Sequence, residues 1–248
     1  MTLALLLAGI AALLAGFTSA FAGFGTGLVA AGFWFQVLPV DQVPLLICVA
    51  SVLAQVVSRF GQFKILPWQK MKLFLGTALM GILPGIWALQ VWSPDSIRIV
   101  VGFILISFAL SQLSGVLPKL ANLRSRLTDG MAGIISGSLG GFAGLSGVIM
   151  ALWLQVGQES IEEQRATLQG FNLIILTVAG IALCVVHPPT QAFANIAAIC
   201  LPMTLLGAML GRQTFSRIDK RWFSKIVLML LLVAGINLIV RSSGLMAL

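Results

Sequence analysis

Two clusters of glycine flanked by small hydroxyls hold the chemistry that this sequence can offer. The first is Gly23, Gly25 and Gly27 with Ser19 and Thr26; the second is Gly137, Gly140, Gly141, Gly144 and Gly147 with Ser138 and Ser146. Glycine weakens a helix and permits positive φ. A helix broken there presents unpaired N–H groups and a positive dipole end, which suit a small anion without any buried cation. Gln55 and Asn172 lie deep in apolar runs. An unsatisfied amide is costly in an apolar medium, so each is expected to face a cavity or the other. The candidate binding residues are therefore Ser19, Gly23, Gly25, Thr26, Gly27, Gln55, Ser138, Gly140, Gly141, Gly144, Ser146, Gly147 and Asn172. The competing reading for the hydroxyls is a bond to their own helix carbonyls.

Other chemistries lack their residues. Asp41, Asp95, Asp129, Glu159, Glu162, Glu163 and Asp219 all stand at the ends of apolar runs. Proton relays usually need such groups inside the membrane. Zinc proteolysis needs HExxH, and the chain holds one histidine, His187, at a Pro-Pro turn where a structural role is expected. Cys48, Cys184 and Cys200 show no metal or disulfide spacing and read as small buried hydrophobes. No enzyme, cofactor or metal is expected. Ser160 to Glu163 has the spacing of a capping box that opens the helix of Arg165. The glutamates there read as caps, with Arg165 as a candidate cytoplasmic gate.

The elements that must position these residues are membrane helices. Of 248 residues, 59% are hydrophobic and 9% charged, with a mean hydropathy of +1.05. A soluble domain has about a quarter charged residues. The net charge of +8 sits in short loops, as the positive-inside rule expects, so nucleic acid is not an expected partner. Residues 1–20 lack the leading Lys or Arg of a signal peptide and read as a transmembrane element. Charge-free runs cover 1–40, 42–58, 73–94, 99–118, 130–158, 166–211 and 226–240. The 166–211 run divides at His187-Pro188-Pro189, since proline interrupts helices.

Residues 3–38 and 127–157 are too long for one crossing: as straight helices they would measure roughly 54 and 46 Å. The loop charges favour folding each back as a hairpin of two half-length pieces. Thirteen of the fifteen Lys and Arg then share one face, the exceptions being Arg98 and Arg241. The expectation is an all-α polytopic membrane protein with ten helical pieces, about eight full spans, and both termini periplasmic.

Sliding the chain by 121 residues places Gly16 on Gly137, Ala22-Gly23 on Ala143-Gly144, and Ser51 on Asn172. Five pieces per half is odd, so the halves, 1–121 and 122–248, would enter the membrane from opposite sides. Inverted repeats with paired broken helices place a substrate near the midplane. Gly81/Gly85 and Gly207/Gly211 have GxxxG spacing and read as close helix contacts.

The run from Gly133 to Gly147, Gly-Ile-Ile-Ser-Gly-Ser-Leu-Gly-Gly-Phe-Ala-Gly-Leu-Ser-Gly, followed by Gln164-Arg165-Ala166, resembles the second-repeat signature of the sulfite exporter TauE/SafE family. The paired halves and Pro84-Gly85 fit as well. Family members carry glycines and then a proline in the first repeat, whereas here Gly23-Phe-Gly-Thr-Gly27 is followed by none until Pro39. The resemblance implies a secondary permease for sulfite, thiosulfate or organosulfonates in the bacterial inner membrane. The expected partners are that anion, lipid and a second copy of the chain. The alternatives are a passive anion channel and a non-transporting membrane scaffold.

Overall fold

In a computed structural model of the chain, the described residues are 2–22, 25–58, 68–114, 124–157, 160–214 and 220–243. They form ten helices and no strand: α1 Thr2–Ala22, α2 Gly25–Val37, α3 Val43–Ser58, α4 Trp68–Val91, α5 Pro94–Ser114, α6 Arg126–Ala143, α7 Gly147–Val156, α8 Ile161–Val186, α9 Gln191–Thr214 and α10 Lys220–Ser242. Five stretches are long and apolar enough to cross a membrane: Met71–Val91, Pro94–Ser114, Glu162–Val186, Gln191–Thr214 and Phe223–Ser242. The chain is a multi-pass membrane protein. Its flanks follow from local chemistry. The Ser160 hydroxyl accepts the Glu163 N–H at 3.2 Å to start α8, and α8 stops ahead of Pro188-Pro189.

Both long segments break among their glycines, but not into equal pieces. The first divides into 21 and 13 residues and the second into 18 and 10. The second break is set by Gly144, which caps α6 at φ 69°. There the Gly144 N–H reaches the Gly140 carbonyl at 3.0 Å, the 5→1 bond of an αL cap, which occupies an orphan carbonyl. Each short piece then lies back along its long one. The Trp34 indole N–H of α2 bonds the Ala8 carbonyl of α1 at 3.1 Å. The Trp153 indole of α7 bonds the Asp129 carboxylate of α6 at 2.6 Å. These two tryptophans latch the hairpins at matching places.

Helix packing follows the small residues. α4 lies on α6 and α1 on α9. A Cβ on Gly81 or Gly85 would run into the Ile134 or Ser138 carbonyl of α6, and one on Gly207 into the Leu13 carbonyl of α1. The GxxxG reading holds for these three. It extends to glycines expected at the break. A Cβ on Gly137 would run into the Ala78 carbonyl and one on Gly141 into the Ile82 carbonyl, so both serve the α4 contact. α5 meets α10 where Gly102 and Gly235 face each other's carbonyls. Inside this ring α3 packs on α8, flanked by α2 and α7.

Arg98, an exception to the loop-charge pattern, is held in place by the fold. Its Nε–H donates to the Phe35 carbonyl near the end of α2 at 3.0 Å, while Nη1 pairs with Asp95 at 3.1 Å. Of the cysteines, Cys48 and Cys200 are buried as expected, whereas Cys184 is exposed on the outer face of α8. A cysteine facing lipid costs little, because hydrocarbon is as apolar as a core.

Candidate functional site

The centre of the molecule is polar without being charged. Every buried polar side chain among the described residues is a hydroxyl or an amide. A small cavity lies between the two breaks and the α3–α8 pair, lined by Gly27 and Leu28 of α2, Ser51 and Gln55 of α3, Gly144 and Leu145 of the second break, Gly147 and Val148 of α7, and Asn172 and Leu176 of α8. Three of the pairs lie 121 residues apart: Gly27 with Val148, Ser51 with Asn172, and Gln55 with Leu176.

Two sets of polar groups point at it. The first turns of α2 and α7 form its wall, and the first four N–H groups of any helix lack intrahelical partners. Of these, the Val148 N–H is taken by the Leu145 carbonyl at 3.2 Å. Each helix start carries about half a positive charge, so two of them together match about one negative charge. The second set comes from side chains. The Ser51 hydroxyl and the Gln55 carbonyl oxygen are buried without a hydrogen-bond partner, at 1% and 2% residue exposure. The Ser146 hydroxyl donates to Asn172 Oδ1 at 2.7 Å, which ties the break to α8 and leaves the Asn172 amide N–H groups as donors.

The expected residues divide by place. Gly27, Gln55, Gly144, Gly147 and Asn172 line the cavity, and Ser146 reaches it through Asn172. Thr26 and Ser19 are buried beside the first break with unpartnered hydroxyls. Gly25 packs on Thr18, and Gly140 backs Ser146 and Ile175, so each shapes a break from behind. Gly141 and Ser138 fall on the α4 side, where the Ser138 hydroxyl bonds its own Ile134 carbonyl at 3.0 Å. Gly23 lies outside the described residues, as does Glu159. Arg165 is half-buried near the start of α8, two turns from Asn172. Ser51 escaped the sequence-based set, although its alignment with Asn172 marked the position.

The cavity measures about 10 Å³, at the lower edge of the ~10–15 Å³ that one water requires. An oxyanion several times larger enters only if the half-helices separate from α3 and α8. Gly144 lets the second break approach α3 closely: a Cβ there would stand 2.6 Å from Ile47 Cγ2.

Compared with protein-family models, the chain matches the one described as Sulfite exporter TauE/SafE over residues 8–238. Comparison with curated proteins and with solved structures gives no match.

Proposed function

Since the chain belongs to the sulfite exporter TauE/SafE family, a family of transporters, we propose that it carries small sulfur-containing oxyanions such as sulfite or organosulfonates across the bacterial inner membrane. The substrate binds in the cavity between the two glycine breaks. One observation supports this most: two half-helix starts and the unpartnered Ser51 hydroxyl converge on a buried, uncharged pocket. Buried polar groups left unpaired cost about 1–3 kcal/mol each, and an anion would supply the missing partner for the Ser51 hydroxyl, with the Asn172 amide N–H groups as further donors.

The helix pairing supports an inverted repeat, with halves 1–121 and 122–248. Exchanging each helix with the one five places later turns α1·α9 into α6·α4, and leaves α3·α8 and α5·α10 unchanged. Such a fold transports by rocking one half against the other around a fixed site. The loop charges support a topology with the 59–72, 118–126, 158–165 and 212–225 segments in the cytoplasm and both termini outside it. Arg165 then stands at the cytoplasmic approach.

The test is flux of radiolabelled sulfite into proteoliposomes, with sulfate, thiosulfate, sulfoacetate and a neutral solute as competitors. Saturable flux displaced by some sulfur anions but not by the neutral solute is expected. Flux rising linearly with concentration would favour a channel. No flux from inserted protein would reject sulfite as substrate.

A further inference from the structure

The seam between α3 and α8 is polar on one side of the cavity and apolar on the other. Cys48 of α3 faces Gly180 of α8, where a glycine Cβ would lie 3.4 Å from the cysteine Cβ, whereas Gln55 shares the cavity with Asn172. Rising numbers on one helix therefore meet falling numbers on the other, and the two run antiparallel. Ser51, Gln55 and Ser58 recur at the spacing of one helix face, and so do Arg165, Gln169 and Asn172. All six lie toward the same end, where α3 finishes and α8 begins. Gln169 is only 6% exposed, an unusual position for a long amide in a membrane helix. Past Leu176 at the cavity wall the same α8 face continues as Ala179 and Leu183, both buried, opposite the buried Cys48.

Charged groups gather at the polar end: Glu162, Glu163 and Arg165 in the first turns of α8, and Arg212, whose Nη1 donates to the Val57 carbonyl at 3.3 Å. At the other end of these two helices stand Asp41 and His187. An anion crossing an apolar stretch meets a large desolvation penalty. A lane lined by hydroxyls and amides that ends among charged groups removes much of it.

We infer that the substrate reaches the cavity along the polar half of this seam, past Ser58 and Gln169, and that the apolar half beyond Cys48 is the closed seal. This rests on the cavity being the substrate site. It adds a route and two route-lining residues, Gln169 and Ser58, to that reading.

Cysteine accessibility in the full-length chain tests it. In a background of Cys48→Ala, Cys184→Ser and Cys200→Ala, single cysteines are placed at Ser58→Cys, Gln169→Cys, Ala179→Cys and Leu183→Cys. Gln62→Cys, a few residues past α3 in the sequence, reports sidedness. A membrane-impermeant thiol reagent is applied to sealed vesicles of each orientation. Ser58→Cys and Gln169→Cys should label from the same side as Gln62→Cys, at least tenfold faster than Ala179→Cys and Leu183→Cys from either side. Labelling at 58 and 169 from the opposite side, no labelling at either, or faster labelling at 179 and 183 would overturn the route. If Gln169→Cys fails to accumulate, the half-buried Ser58 position decides alone. The expected labelling in a chain without sulfite flux would overturn the substrate assignment while leaving the lane in place.

Discussion

Gly144→Ala is the sharpest single perturbation of the second break. The residue holds φ 69°, a left-handed conformation that costs roughly 1–2 kcal/mol for a residue with a Cβ. The added methyl would also meet Ile47 Cγ2 at 2.6 Å and Cβ at 2.9 Å. Forcing an extra carbon into a packed core typically costs about 1–3 kcal/mol. Together these destabilise the break by about 2–5 kcal/mol. At ~2–4 °C per kcal/mol for a chain of this size, the thermal midpoint in detergent falls by ~5–20 °C. Gly76→Ala is the control, because nothing lies within 4 Å of its would-be Cβ; it should leave the midpoint unchanged or raise it by a few degrees, given the ~1 kcal/mol helix preference of alanine over glycine. A Gly144→Ala protein as stable as the native chain would refute the assigned cap geometry and the close approach of α3.

Four further outcomes follow from the same contacts. Ser51→Ala removes a hydroxyl that has no partner in the protein, so the midpoint should hold while half-saturation for sulfite flux rises roughly 10- to 100-fold, the equivalent of one hydrogen bond to a charged ligand. Asp129→Asn keeps an acceptor for the Trp153 indole and should retain α7 packing, whereas Asp129→Leu leaves that indole unpaired and should cost about 1.5–3 kcal/mol in denaturant unfolding. Gly85→Leu would drive a side chain into the Ser138 and Phe142 backbone of α6 and should prevent accumulation of folded protein, read by size-exclusion chromatography. Gly25→Leu meets Thr18 at the first break and should abolish flux in protein that still inserts; unchanged flux would remove that break from the mechanism.

The breaks were legible because length and glycine content conflict with a single crossing. Gly144 was the right residue for a left-handed cap, and Pro188-Pro189 the right signal for the end of α8. The unequal hairpin arms were not legible, since hydrophobicity runs unbroken through both pieces and the latching bonds of Trp34 and Trp153 depend on partners 26 and 24 residues away. Within the second cluster, sequence could not separate Gly144 and Gly147, which line the cavity, from Gly137 and Gly141, which meet α4. Both uses need a missing side chain, and only the facing helix distinguishes them. Ser51 stayed hidden for a related reason: a lone serine in an apolar run reads as bonded to its own helix, and its hydroxyl is unpartnered instead.

The most direct test of the cavity as the substrate site compares saturable sulfite flux in proteoliposomes for the native chain and for Gln55→Leu and Asn172→Leu, each at matched, verified insertion. Losing one hydrogen bond to a charged ligand costs about 1.5–3 kcal/mol, so each variant should need roughly 10- to 100-fold more sulfite for half-maximal flux. Native half-saturation and native maximal flux in both variants would place the substrate elsewhere and contradict the account.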